Sequence, residues 1–341
     1  MRKLVGLVLI GIIAAAGWLS WALLMPAAPP TQTFVLLRPG YSTRRIAAEL
    51  KNAGVIRSQE AFVLWHYYHH GRSLKAGEYL FDKPANIIDI QKRLRRGDVY
   101  FHTVVVPEGF TMFDIARAVE AAGLGSAENF LKVAETDTLL VSDIDPHARS
   151  LEGYLFPDTY QFSRMMTMQD IAAAMVKQFR QVAGQIGLNP ASADSPGMAS
   201  SLHEIVTMAS IVEKETSVPE ERPVVASVYY NRLEKHIALD ADPSIIYAEL
   251  LKGSYQGALH HADMQFTSPY NTYRNAGLPP GPIANPGRSA LEAAMHPAQT
   301  DYYYFVADAE GHHRFARTIE EHNKNVIAYR KAMRGRQTQS R

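Results

Sequence analysis

The hydrophobic pattern begins with an uncharged apolar run from Leu4 to Leu24, preceded by Met1-Arg2-Lys3. About 20 such residues in a helix cross the ~30 Å hydrocarbon core of a membrane. The run is longer than the 7–15 apolar residues of a secretory signal, and Pro26, Pro29 and Pro30 crowd the place where cleavage would fall. Residues 1–25 are therefore expected to form a short cytoplasmic tip and an uncleaved transmembrane anchor. Arg2 and Lys3 should stay on the cytoplasmic side, with Trp18 and Trp21 towards the far interface. The proline cluster makes 26–33 a short stiff linker.

Beyond it the pattern alternates between period 2 and period 3.6. Phe34–Leu37 reads as a strand, Pro39-Gly40 as a turn, and Ser42 as the cap of a helix over Thr43–Asn52. Ser58 caps a second helix reaching about His70, Gly77–Phe81 is strand-like, and Ile87–Leu94 is helical up to Gly97. The order predicts a small α+β module over 34–98. Val104–Gly109 resembles Leu36–Gly40, each a strand, a proline turn and a helix start, which suggests a weak internal repeat in an intermediate α+β region over 99–187. Gly, Pro, Ser, Asn and Asp without periodicity make 188–200 a linker or loop. The densest patterning follows, over 201–333. It includes a strand at Tyr302–Val306, a return strand at His313–Ala316 and a terminal helix over Ile319–Met333. The basic polar tail, 334–341, is expected to be disordered.

Within the dense part, Ser201–Thr216 reads as a helix. Its apolar stripe centres on Ile205, with Leu202, Met208, Ala209 and Val212, and His203, Thr207, Ser210 and Lys214 take the opposite face. Glu213 and Glu215 flank the stripe about 160° apart. Both are placed for partial desolvation, which raises a carboxyl pKa towards that of a general acid. They point apart, so this helix supplies one acid to any one cleft rather than a pair. The wheel does not choose between them, and each is equally readable as a carboxylate that reaches water or pairs with a nearby cation.

Three loops follow that are rich in polar and aromatic groups of the kind that bind sugars: Leu239–Tyr247 with Asp240 and Asp242, Ser268–Tyr273, and the turn-rich stretch Gly277–Gly287. Their plainer readings are a helix cap for Asp242 before Pro243, loop packing for Tyr270 and Tyr273, and connector stiffening for the prolines. Ser217-x-x-Glu220 has the form of a capping box for the next helix.

Composition then removes alternatives. Lys and Arg number 35 against 34 Asp and Glu, a net charge of +1, which gives no electrostatic case for nucleic acid. The absence of cysteine excludes disulfides, thiolate catalysis and cysteine-bound zinc. The paired histidines His260-His261 and His312-His313 are adjacent and diverge, and no His-Glu-x-x-His helix or phosphate-binding loop appears, so no metal or other cofactor is expected.

The block Ala209-Ser-Ile-Val-Glu-Lys-Glu-Thr216 resembles the signature of the MltG-type (YceG-like) endolytic murein transglycosylases. So do Val225–Leu233, Asp242-Pro243 with Tyr247, Ser268–Tyr273, Gly277–Gly281 with Ile283, Asn285–Gly287, Tyr304–Ala307, His322-Asn323 and Glu152–Tyr160, in order and over nearly the whole chain. The resemblance implies a LysM-like module, matching 34–98, and a mixed α/β catalytic domain with its active-site Glu on a helix. It implies Glu215, the second acid of the Glu-Lys-Glu block, as the catalytic group, and a single-pass inner-membrane protein with a periplasmic C-terminal domain. The implied reaction cleaves the β-1,4 bond between N-acetylmuramic acid and N-acetylglucosamine in nascent strands and limits their length. The muramic C6 hydroxyl attacks its own C1, leaving a 1,6-anhydro end. Peptidoglycan strands are the implied partner, with contact to the synthesis machinery. One acid/base suffices for an intramolecular nucleophile. Asn231, Asp242, Ser268, Tyr270, Asn271 and Tyr273 are the expected groove contacts, with Glu152 beside them. A hydrolytic muramidase pairing Glu215 with Asp240 or Asp242, and a non-catalytic wall-binding scaffold, are the alternatives.

Overall fold

The computed structural model describes residues 1–29, 31–69, 71–188 and 201–339. They divide into two compact units, one of residues 1–103 with 161–166, the other of 104–160 with the chain from 167 onward. Of the expected 188–200 linker, Leu188 is buried and the rest lies outside the described residues.

The first unit begins with helix α1 (Arg2–Leu24). Its 23 residues span roughly 35 Å at 1.5 Å per residue. Leu4, Leu7, Ile10 and Ile13 are exposed along it, while Ala22 and Leu23 at its end are buried in the unit's own core. The helix is compatible with a single-pass membrane anchor. The unit continues as β1 (Thr33–Leu37), α2 (Thr43–Asn52), α3 (Gln59–Tyr68), β2 (Gly77–Phe81) and α4 (Ile87–Arg96), the strand–helix–helix–strand order expected from the sequence. β1 and β2 pair antiparallel, Thr33 opposite Phe81 and Leu37 opposite Gly77. The helices start where short polar side chains accept an orphan amide: Ser42 from Arg45, Ser58 from Ala61 and Asn86 from Asp89. Val35, Leu37, Leu50, Phe62, Ile90 and Leu94 close the core between sheet and helices.

Strands β3 (His102–Val105) and β4 (Thr159–Phe162) form a second two-stranded sheet, and each is divided between the two units. The second unit is mainly helical, with α5 (Met112–Ala121), α6 (Ala127–Thr136), α7 (Met168–Gln185), α8 (Leu202–Glu215), α9 (Arg222–Glu234), α10 (Asp242–Lys252) and α11 (Arg288–Met295). An antiparallel hairpin of β5 (Tyr304–Ala307) and β6 (His313–Ala316) and the terminal helix α12 (Ile319–Gln339) complete it. The molecule is thus mixed α+β with an N-terminal apolar helix. Both strand–proline turn–helix pieces of the suggested repeat form, as β1 with α2 and β3 with α5.

Helix α8 starts at Ser201, whose hydroxyl accepts from the Glu204 amide. It packs against α9, α10 and α11, and this changes the expected wheel. Thr207 and Ser210, expected on a solvated face, are fully buried. Ser210 Oγ donates to the Thr207 carbonyl at 2.7 Å and accepts from the Ile283 amide at 3.0 Å. α8 is therefore an interior helix in which Ser210 is satisfied by neighbouring backbone, while the buried Thr207 Oγ1 has no hydrogen-bond partner.

Three other local expectations differ. The Ser217–Glu220 box does not form; a short 3-10 turn, Pro219–Glu221, leads into α9, and Thr216 Oγ1 accepts the Val218 amide instead. Asp242 does not cap α10; it is the helix's first residue and leaves its carboxylate for another partner. α12 continues six residues past Met333, because the segment has no proline to stop it and Arg336 reaches back to the Ala309 carbonyl and to Glu310.

Candidate active site

Glu215 is the last residue of α8, so packing of that helix fixes its backbone while its side chain leaves the helix end. The carboxyl faces a cavity of about 380 Å³ walled by four other helices and strands and two loops. α9 contributes Tyr229 and Arg232, the following loop Leu239 and Asp240, α10 Asp242, and the hairpin and α12 contribute Tyr304, Phe305 and His322. Tyr273 enters from the Ser268–Tyr273 loop.

The Tyr229 hydroxyl donates to Glu215 Oε1 at 2.6 Å, and its ring stands edge-on to Phe305 at 5.8 Å. Arg232 is held by the backbone: Nε donates to the Tyr303 carbonyl at 2.7 Å, and Nη1 donates to the Ala238 and Leu239 carbonyls and to Asp240. Its guanidinium also lies over the Tyr304 ring, 5.3 Å from the centroid. Asp240 adopts φ +50°, a left-handed conformation uncommon outside glycine, at the rim of this cavity. The Tyr273 hydroxyl donates to Asp242 Oδ1 at 2.6 Å.

These contacts set the charge of Glu215. Its carboxyl keeps some contact with solvent through the cavity but is otherwise ringed by protein. Burial raises its pKa to about 7, the Tyr229 hydrogen bond lowers it, the Asp242 charge raises it and Arg232 lowers it. The result is a carboxyl that exchanges its proton near neutrality, as a group that must first give and then take a proton requires. Burial likewise raises the Asp240 carboxyl above its ordinary range, against the pull of Arg232.

Glu213 is placed differently. Its side chain is 4% exposed, ion-paired with Arg222 at 2.7 Å, and accepts from the Gly287 amide at 2.9 Å. The two acids diverge as the wheel implied, and every partner of Glu213 lies in the interior. Glu213 ties α8 to α9 and to the start of α11, and only Glu215 reaches the cavity.

Of the groove contacts expected from sequence, the structure brings Asp242 and Tyr273 to Glu215. Asn231 lines a neighbouring recess with Ser227 and Thr300, and its amide donates to the Thr300 and Tyr302 carbonyls, both at 2.9 Å. Ser268 and Tyr270 do not line the cavity; Ser268 Oγ accepts the Tyr270 amide, and the Tyr270 ring packs 5.2 Å from that of Tyr247. Asn271 and Glu152 lie away from the cavity, buried with their polar atoms bonded to the protein. Asn271 Nδ2 donates to the Met264 and Phe266 carbonyls. Glu152 accepts from the Met112 amide and from Asn285 Nδ2, the latter at 2.6 Å, and burial pushes its pKa up to about 8. Asn285 also accepts from the Gly153 and Leu155 amides at 2.8 and 2.9 Å. Gly153 is glycine of necessity: it sits at φ +90°, and a Cβ would meet Pro282 at 2.5 Å and Val206 at 2.9 Å.

Tyr229, Arg232, Tyr304, Phe305 and His322 also line the cavity; the sequence showed them only inside blocks of the family resemblance and not as groove contacts. Tyr229, Arg232 and His322 lie 14, 17 and 107 positions after Glu215, and the packing of α9 and α12 brings them to it. The signal present in the sequence was Tyr229 and Arg232 on one face of a helix, three residues apart. Among the described residues no group of three or more His, Asp or Glu side chains gathers as a metal site would.

Comparison with known proteins places the chain among relatives over nearly its whole length. A model of the YceG-like family matches residues 35–328. The chain is 35% identical over 335 residues to a Bacillus subtilis protein named endolytic murein transglycosylase, covering 93% of this chain and 91% of the relative. It is 29% identical to a Streptococcus pneumoniae protein of the same name, covering 95% of this chain and 64% of that longer relative. Among solved structures, the crystal structure of a yceG-like protein from Listeria monocytogenes matches with a TM-score of 0.58 at 33% identity, over 86% of this chain and 98% of that one. This chain belongs to the YceG-like family.

Proposed function

We infer that this chain is an endolytic murein transglycosylase, a lyase that cuts within peptidoglycan glycan strands. The observation that carries the reading is the Glu215 carboxyl at the head of a polar and aromatic cavity, with a pKa of about 7 and one hydrogen bond that fixes its orientation. In its protonated form Glu215 donates to the oxygen of the β-1,4 bond between N-acetylmuramic acid and N-acetylglucosamine. The C1–O4 bond breaks and the N-acetylglucosamine leaves with that proton on O4; the Glu215 carboxylate, favoured by Tyr229 and Arg232, then accepts the proton of the muramic C6 hydroxyl as that oxygen bonds to C1. The nucleophile belongs to the substrate, so no second carboxylate has to activate water. Asp242 and Asp240 lie where their charge favours the positive C1 centre of the transition state. Tyr273, Tyr304 and His322 supply ring faces and polar edges for sugar.

The catalytic role of Glu215, the LysM-like character of the 34–98 module and the topology belong to the same reading. α1 anchors the chain in the inner membrane, Arg2 and Lys3 remain cytoplasmic, and the catalytic unit faces the periplasm, where it limits the length of nascent strands alongside the synthesis machinery. The positive-inside rule supports that orientation. Asp240 and Asp242 share the cavity with Glu215, which favours hydrolysis as the second reading. Mass spectrometry of digested uncrosslinked strands separates the two: ends one water lighter than a reducing sugar support the transglycosylase, and reducing ends support the muramidase.

A further inference from the structure

We propose that a second cleft, between α5 and α10, binds the acidic peptide borne by the muramic sugar whose bond is cut. This rests on the transglycosylase reading and goes beyond it by giving the peptide its own site. The cleft has a volume of about 480 Å³. Pro243, Ile246 and Leu250 form an apolar wall, and Tyr247 and Ile283 lie buried at its base. Lys214 and Arg117 bring two cations to it.

Lys214 precedes Glu215 in α8, and Pro243 follows Asp242 in α10. Consecutive Cα atoms are about 3.8 Å apart, so the active cavity and this cleft meet at the same junction of two helix ends. A substituent of the sugar held at Glu215 that crosses this junction enters the cleft. The muramic ring carries its peptide through the lactyl group on O3, on the same ring as the reacting C1.

Asp114 is the one carboxylate among the lining residues, and it is occupied. Its Oδ2 accepts from the Thr111 amide and hydroxyl at 2.9 and 2.7 Å, and its Oδ1 accepts from Arg117 at 2.5 Å. Lys214 Nζ donates to the Gly109 carbonyl at 3.2 Å, which leaves two of an ammonium's three N–H bonds for a ligand. Arg117 pairs with Asp114 through one of its five N–H bonds, so the cleft carries one net positive charge, and a neutral sugar would gain little from it above an apolar wall. A short peptide with methyl-sized side chains and free carboxylates matches both features.

The test compares uncrosslinked strands bearing peptides with the same strands stripped by an amidase, using the full chain and Arg117→Gln, Lys214→Gln and the double variant. Wild type should show a higher kcat/KM on peptide-bearing strands. Each substitution should lower that preference about tenfold, mainly through KM, as the loss of one charge-assisted hydrogen bond implies. Arg117→Lys should keep most of the preference. A wild-type enzyme indifferent to the peptide, or variants that slow both substrates equally as a glycan-holding cleft would, overturns the proposal. Failure of wild type to make anhydro ends on either substrate would instead strike the transglycosylase reading. Thermal unfolding of each variant checks folding. Should Lys214→Gln unfold for want of its Gly109 contact, Arg117→Gln, whose side chain is 64% exposed, carries the test.

Discussion

Replacing Tyr229 by Phe should move the alkaline limb of the pH–rate profile to higher pH. The substitution keeps the ring against Phe305 and removes only the hydroxyl that donates to Glu215 Oε1 at 2.6 Å. A hydrogen bond to a charged group is worth about 1.5–3 kcal/mol, which at 1.36 kcal/mol per pH unit corresponds to about 1–2 units. Water in the cavity replaces part of the lost bond, so the lower end, about one unit, is expected. The sign is fixed: the phenol stabilises the carboxylate, so its removal raises a pKa that already stands at about 7. The first step needs the protonated acid, so kcat/KM falls above that pKa and the falling limb follows it upward. The rate at the optimum should drop about tenfold, because the carboxyl is also less well oriented. The assay is release of soluble fragments from uncrosslinked strands between pH 5 and 9. A limb that stays in place, or moves to lower pH, would refute the view that Tyr229 tunes Glu215.

Glu213→Gln should destabilise the fold by about 3 kcal/mol, since it leaves Arg222 without its buried partner; denaturant unfolding measures this, and the folded fraction should still cleave glycan. Asn285→Ala removes bonds to Gly153, Leu155, Phe110 and Glu152 at once and should cost about 3 kcal/mol or more by the same measurement. His203 bonds Asp145 at 2.7 Å, which raises its pKa above the ordinary 6.5. That contribution to stability is fully present below pH 6.5 and is lost as pH rises through the folded-state value. The stability gap between wild type and His203→Gln should therefore shrink from pH 6 to pH 9, and a constant gap would remove the ion pair from the account.

Much of the local structure was legible because its cause is local. Ser42, Ser58 and Ser201 mark helix starts by the amides they accept, and the period of Leu202–Glu215 placed Glu213 and Glu215 on divergent sides. The cavity was less legible because it is assembled by packing between distant segments. Tyr229 and Arg232 reach Glu215 only when α9 lies along α8, and His322 arrives from the last helix. Polar loop residues misled for a definite physical reason. A turn-rich stretch such as Gly277–Gly287 that is folded inward carries buried amides and carbonyls needing partners. Asn285 and Glu152 meet that need, and Asn271 does the same for the Met264 and Phe266 carbonyls. In sequence, such residues look the same as sugar contacts.

The central claim is that Glu215 is the proton-transfer group, and Glu215→Gln tests it most directly. Glutamine keeps the size of the side chain, and its amide carbonyl can still accept the Tyr229 hydroxyl, so the fold should be retained. The measurement is mass spectrometry of the ends released from uncrosslinked glycan strands by equal amounts of folded wild type and Glu215→Gln. Wild type should release 1,6-anhydro ends and the variant none above background. Anhydro ends from the variant at the wild-type rate would contradict that claim.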